Sequence, residues 1–124
     1  MNQKQITITK IFNFGSAHNL TSYHGKCENL HGHNYQLEVS VTGIPDKEGM
    51  VIDYKKIKKV VKENVINKLD HKYLNDVLDF SPTSENILLW IEKKIKDKLT
   101  SNNYKLSKLV LWETKNNKAV LNVN

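Results

Sequence analysis

The chain contains no arginine, and all nineteen of its basic residues are lysine. The planar guanidinium fork that grips phosphate bidentately and reads guanine edges is therefore absent, which argues against nucleic-acid recognition despite a net charge of +6. There is one cysteine, Cys27, so no internal disulfide can form and the thiol stays available for chemistry. No apolar run approaches the roughly 20 residues of a membrane-spanning helix, and the N-terminus lacks the apolar stretch of a secretory signal. These absences lead us to expect a cytoplasmic chain with no membrane and no nucleic acid as partner. Low-complexity linkers and strong internal repeats are also missing. At 124 residues, the chain is expected to form a single domain over residues 1–124.

The lysines that are present gather at 55–62 and 93–98, between apolar positions at helical spacing, where they read as solvated helix faces. A cationic surface of this kind still favours a small anionic substrate such as a polyphosphate.

Two segments alternate with a period of two. Residues 5–18 place Ile6, Ile8, Phe12, Phe14, Ser16 and His18 on one parity. Residues 33–43 place His33, Tyr35, Leu37, Val39 and Val41 opposite Asn34, Gln36, Glu38, Ser40 and Thr42, a strand with one wet face. Turn residues at 43–49 end it. The period then becomes helical at Ile57, Val60, Val61, Val65 and Leu69, with Asp53 placed as cap. Residues 70–81 show no period and read as an irregular connection. Pro82, Thr83, Ser84 and Glu85 signal a second helix start, whose stripe is Leu88, Ile91, Ile95 and Leu99. Asn102 and Asn103 are expected to stop that helix in left-handed geometry, before strands at 105–114 and 118–123. The order predicts an α+β fold, β-β-α-α-β-β, with a four-stranded antiparallel sheet and two helices on one face.

The densest polar cluster holds His18, His24, Cys27, His31 and His33. His31 and His33 stand two apart at the mouth of a strand and project from one face, while His18 ends the first strand on its apolar parity. An antiparallel pairing brings all three imidazoles together, a set that suits Zn2+ and leaves a fourth position open. Hydrogen-bonded structural histidines are the plainer alternative for the His-x-His pair alone. His24 has no parity and reads equally as an exposed loop residue. Cys27 would be a buried hydrophobe if it stood alone; beside a metal it is a candidate thiolate. Asp70 and His71 form an adjacent carboxylate–imidazole pair, a candidate acid or base, although on spacing alone a polar helix end is the plainer reading. Glu113 interrupts the apolar parity of Leu109 and Leu111, a costly position unless it meets a donor-rich partner or reaches solvent.

Five segments, 14–18 (FGSAH), 27–33 (CENLHGH), 70–75 (DHKYLN), 82–86 (PTSEN) and Glu113 with Thr114, together resemble the superfamily of 6-pyruvoyltetrahydropterin and 6-carboxytetrahydropterin synthases, in family order over nearly the whole chain. The resemblance implies the tunnelling fold, in which three subunits close a twelve-stranded barrel and two trimers stack into a hexamer. It implies His18, His31 and His33 as zinc ligands, Cys27 as catalytic base, Asp70 and His71 as its partner dyad, and Glu113 as the carboxylate anchoring the pterin ring beside Thr114. The implied substrate is 7,8-dihydroneopterin triphosphate. The first implied product is 6-carboxy-5,6,7,8-tetrahydropterin, formed with release of acetaldehyde and triphosphate on the route to queuosine. Glu28, next to Cys27, matches a branch that cleaves the side chain to 6-hydroxymethyl-7,8-dihydropterin and is a further candidate for substrate contact. The 6-pyruvoyl product ranks third.

Overall fold

The computed structural model describes residues 3–18 and 31–124, with His31 described by its backbone alone. Strands β1 (Ile6–His18) and β2 (His31–Gly43) pair antiparallel in unbroken register, from Ile6 opposite Gly43 to His18 opposite His31. β2 pairs with the later strand β4 (Tyr104–Thr114), which pairs in turn with β5 (Asn117–Asn122).

The expected four-stranded antiparallel sheet needs correction. A fifth strand, β3 (Lys72–Tyr73), runs parallel to β1 at Ser16 and Ala17, and the sheet is mixed, in the order β3-β1-β2-β4-β5. Backbone and hydroxyl contacts create it. The His71 N–H donates to the Gly15 carbonyl at 2.6 Å, and the buried Ser16 hydroxyl donates to the Leu69 carbonyl at 2.6 Å. Two residues are too few to leave a period in the sequence. The segment expected to be irregular thus holds β3 and a single helical turn, Leu74–Val77.

The first long helical segment begins at Tyr54, where the Asp53 carboxylate accepts from the Lys55 N–H at 2.8 Å. It runs as α1 (Tyr54–Val61), a π-helical turn (Lys62–Ile66) and α2 (Asn67–Leu69). Ile57, Val61, Val65 and Leu69 are all fully buried and stand four apart. In a regular α-helix each such step drifts by roughly 40° around the axis. The wider π turn takes up that drift and keeps the four side chains against the sheet. With Leu74–Val77 counted as α3, the second long helix is α4 (Ser84–Ile95), capped by the Thr83 hydroxyl, which accepts from the Asn86 N–H at 3.1 Å. It ends by tightening into a 3-10 turn (Asp97–Leu99), and the Thr100 hydroxyl donates to the Lys96 carbonyl at 2.7 Å. Asn102 and Asn103 do not take up the left-handed geometry expected of them. Among described non-glycine residues only His71 has a positive φ.

The helices cover one sheet face. Phe12 and Phe14 of β1, Tyr35, Leu37, Val39 and Val41 of β2, and Leu109 and Leu111 of β4 join the helix stripes in one apolar cluster. The opposite face is polar, with Thr7 bonded to Thr42, Thr42 to Ser107, and the Trp112 indole N–H to Glu38. Lys55, Lys56, Lys58, Lys59 and Lys62 are exposed, as their spacing predicts. Among the described residues, no helix is long and apolar enough to cross a membrane.

Candidate metal centre

Parity fixes the site. The even-numbered residues of β1 face the helices, so its last residue, His18, is buried beneath them. On β2 the odd-numbered residues share that face, which brings the His33 ring edge-on to His18 with centroids 5.0 Å apart. Glu113, near the end of β4 on the parity of Leu109 and Leu111, completes the group. Its Oε1 lies 3.3 Å from Nε2 of His18 and 3.3 Å from Nε2 of His33. The Ser84 hydroxyl, at the start of α4, donates to Oε2 at 3.3 Å.

The hydrogen bonds settle which nitrogen of His18 faces the site. Nδ1 lies 2.9 Å from the Pro82 carbonyl, which can only accept, so Nδ1 carries the proton. The Tyr35 hydroxyl, 3.4 Å from the same nitrogen, is a long secondary acceptor. In a neutral ring Nε2 then presents a lone pair to a carboxylate oxygen, an unfavourable contact unless that nitrogen binds a proton or a cation. Without a metal, the carboxylate contact favours the protonated ring. The hydrogen bond to Glu113 raises the pKa of His18 above its usual 6.5, outweighing the opposing effect of burial, with the Pro82 contact adding to the rise. Glu113 is correspondingly lowered from 4.5, chiefly by the hydrogen bond from His18 and then by the charge of His33. Burial, with the Glu113 charge nearby, raises the Tyr35 phenol and keeps it neutral.

Two imidazole nitrogens and a carboxylate oxygen lying within 4.8 Å of one another form a donor set that can hold a divalent metal such as zinc. Two of the three expected ligands, His18 and His33, therefore converge. The third, His31, is placed by the backbone directly opposite His18 and on the parity of His33, and its side chain lies outside the described residues. Cys27, Glu28 and His24 also lie outside them.

Asp70 and His71 form a pair of their own at the edge of β1. Asp70 Oδ1 accepts from the Gly15 N–H at 3.0 Å, and Oδ2 lies 3.5 Å from His71 Nε2. His71 holds a left-handed backbone, φ 59°, and its side chain is 89% exposed. The structure thus orients this imidazole but does not join it to the His18–His33–Glu113 group. Thr114 is exposed and organises the β4–β5 turn, accepting from Asn116 and Asn117. Sequence reasoning missed Tyr35, the Pro82 carbonyl and the Ser84 hydroxyl. Tyr35 shares the parity of His33, a usable signal, whereas a main-chain carbonyl leaves none.

Comparison with known proteins gives the chain clear relatives. A profile of the family described as 6-pyruvoyl tetrahydropterin synthase matches residues 7–124. The chain is 49% identical to the dihydroneopterin monophosphate aldolase of Pyrococcus furiosus, over 69% of its own length and 72% of that protein. It is 32% identical to the 6-carboxy-5,6,7,8-tetrahydropterin synthase of Haemophilus influenzae, over 86% and 92% of the two chains. Its fold matches the solved structure of the 6-pyruvoyl tetrahydropterin synthase of Caenorhabditis elegans with a TM-score of 0.86 at 30% identity, over the full length of both.

Proposed function

Because the chain belongs to the 6-pyruvoyl tetrahydropterin synthase family, we propose that it is a zinc-dependent lyase converting 7,8-dihydroneopterin triphosphate and one water into 6-carboxy-5,6,7,8-tetrahydropterin, acetaldehyde and triphosphate. The observation that carries this reading is His18, whose Nδ1–H is tied to the Pro82 carbonyl so that Nε2 is turned toward His33 and Glu113. His18, His33 and His31 would hold zinc, which supplies Lewis-acid polarisation of the substrate's side-chain hydroxyls when bound. Glu113 anchors the ring by accepting its N–H groups, with Thr114 beside it. Cys27 takes up a side-chain proton, and His71, oriented by Asp70, holds or returns one. The exposed position of His71 at the sheet edge suits a site completed where copies of the chain meet. We place the open polar sheet face, with exposed Ile11 at 52%, in the interior of a three-subunit barrel, two of which stack into a hexamer.

A second reading, cleavage to 6-hydroxymethyl-7,8-dihydropterin, is favoured by the 49% identity to a protein named as an aldolase and by Glu28 beside Cys27. One incubation separates them: zinc-loaded chain with 7,8-dihydroneopterin triphosphate, products identified by mass. The first reading predicts the 6-carboxy product with acetaldehyde. The hydroxymethyl product would establish the second, and unchanged substrate would refute both.

A further inference from the structure

Residues 81–86 carry more hydrogen bonds than a helix start requires. Thr83 alone caps α4, its hydroxyl accepting from the Asn86 N–H at 3.1 Å. The Ser84 hydroxyl is therefore not needed for capping, and it turns instead to Glu113 Oε2 at 3.3 Å. The Pro82 carbonyl precedes the cap, stands outside the helical ladder, and accepts from His18 Nδ1 at 2.9 Å. One short turn thus touches two of the three members of the metal-ready group, at His18 Nδ1 and at Glu113 Oε2. The turn is itself braced. The Ser81 carbonyl accepts twice, from the Thr83 N–H at 2.9 Å and from the Asn86 side-chain amide at 2.9 Å, and the ring of Pro82 fixes its own φ.

We propose that this turn is the positioning element of the site: Pro82 sets the tautomer and direction of His18, Ser84 sets the plane of the Glu113 carboxylate, and Asn86 holds the turn that presents both. None of the three is a catalytic residue here, and the proposal rests on the reading of His18 as metal ligand and Glu113 as ring anchor. With Oε2 held by Ser84, Oε1 is confined to the space between His18 and His33. A carboxylate without that tether would rotate about its terminal torsion, which is broad.

Four variants of the full chain test this. Ser84→Ala should raise KM for 7,8-dihydroneopterin triphosphate about tenfold while kcat stays within about twofold, the pattern of a lost binding contribution, and Ser84→Thr should restore KM. Asn86→Ala, which removes the exposed bond to the Ser81 carbonyl, should weaken Co2+ binding to metal-stripped protein about tenfold, read from the cobalt absorption spectrum. Wild-type KM in Ser84→Ala, failure of Ser84→Thr to restore it, or wild-type cobalt affinity in Asn86→Ala would overturn the proposal. Glu113→Ala separates the two levels. A raised KM there with an unaffected Ser84→Ala sinks the positioning role alone, whereas an unchanged KM in Glu113→Ala sinks the ring-anchor reading beneath it.

Discussion

His71 holds φ at 59° with a side chain 89% exposed, so substitution there removes little packing and reports mainly on the backbone. At an ordinary site alanine is more stable than glycine by about 0.4–1 kcal/mol, because glycine leaves the unfolded chain freer. Left-handed geometry costs an L-residue about 1–2 kcal/mol and glycine almost nothing. The second effect exceeds the first, so the usual order reverses. His71→Gly should be more stable than His71→Ala by about 0.5–1 kcal/mol. With a urea slope of about 2 kcal/mol per molar, that is a midpoint difference of roughly 0.3–0.5 M, measured on both variants at one chain concentration and one metal state. Both variants should lose turnover alike, since each lacks the imidazole. A glycine variant equal to or less stable than alanine would refute the claim that the fold spends stability to aim this ring.

Ser16→Ala removes the hydroxyl bonded to the Leu69 carbonyl at 2.6 Å and leaves a buried acceptor without its donor, which should cost about 1–3 kcal/mol in chemical unfolding. In metal-free protein the raised His18 contributes stability that is present below pH 6.5 and is lost as pH climbs through its folded value, while the depressed Glu113 contributes stability present above pH 4.5 and lost as pH falls. The wild-type urea midpoint should therefore gain most from the pair between pH 4.5 and 6.5, and Glu113→Gln should flatten that advantage; identical profiles would contradict it. Cys27→Ala should keep its zinc by elemental analysis yet lose turnover, and loss of the metal would mean the thiol is a ligand. If Glu28 directs cleavage, Glu28→Ala should suppress only the hydroxymethyl product, and an unmoved product ratio would return Glu28 to a solvated loop carboxylate.

The two long strands were legible because one face of each is buried, which writes a period of two into β1 and β2 and puts His18 and His33 on the buried face. Glu113 was legible for the same reason, as a carboxylate on an apolar parity. β3 was not, since two residues bound through Gly15 and Ser16 leave no pattern. The π turn was half visible: the spacing of Ile57, Val61, Val65 and Leu69 announced a buried stripe without saying that the helix must widen to keep it straight. Positioning contacts were the least legible. Pro82 acts through its carbonyl, and Ser84 looked like part of a helix start until Thr83 was seen to fill that role.

If His18 and His33 belong to a metal centre on which pterin side-chain chemistry depends, turnover must follow the metal. The most direct measurement strips the protein of metal, adds zinc back in known increments, and follows product formed from 7,8-dihydroneopterin triphosphate in the wild type and in His18→Ala and His33→Ala. Turnover should rise linearly to a plateau at about one zinc per subunit in the wild type and stay at background in both variants. Full turnover by the stripped protein, or wild-type zinc response in either variant, would contradict the account.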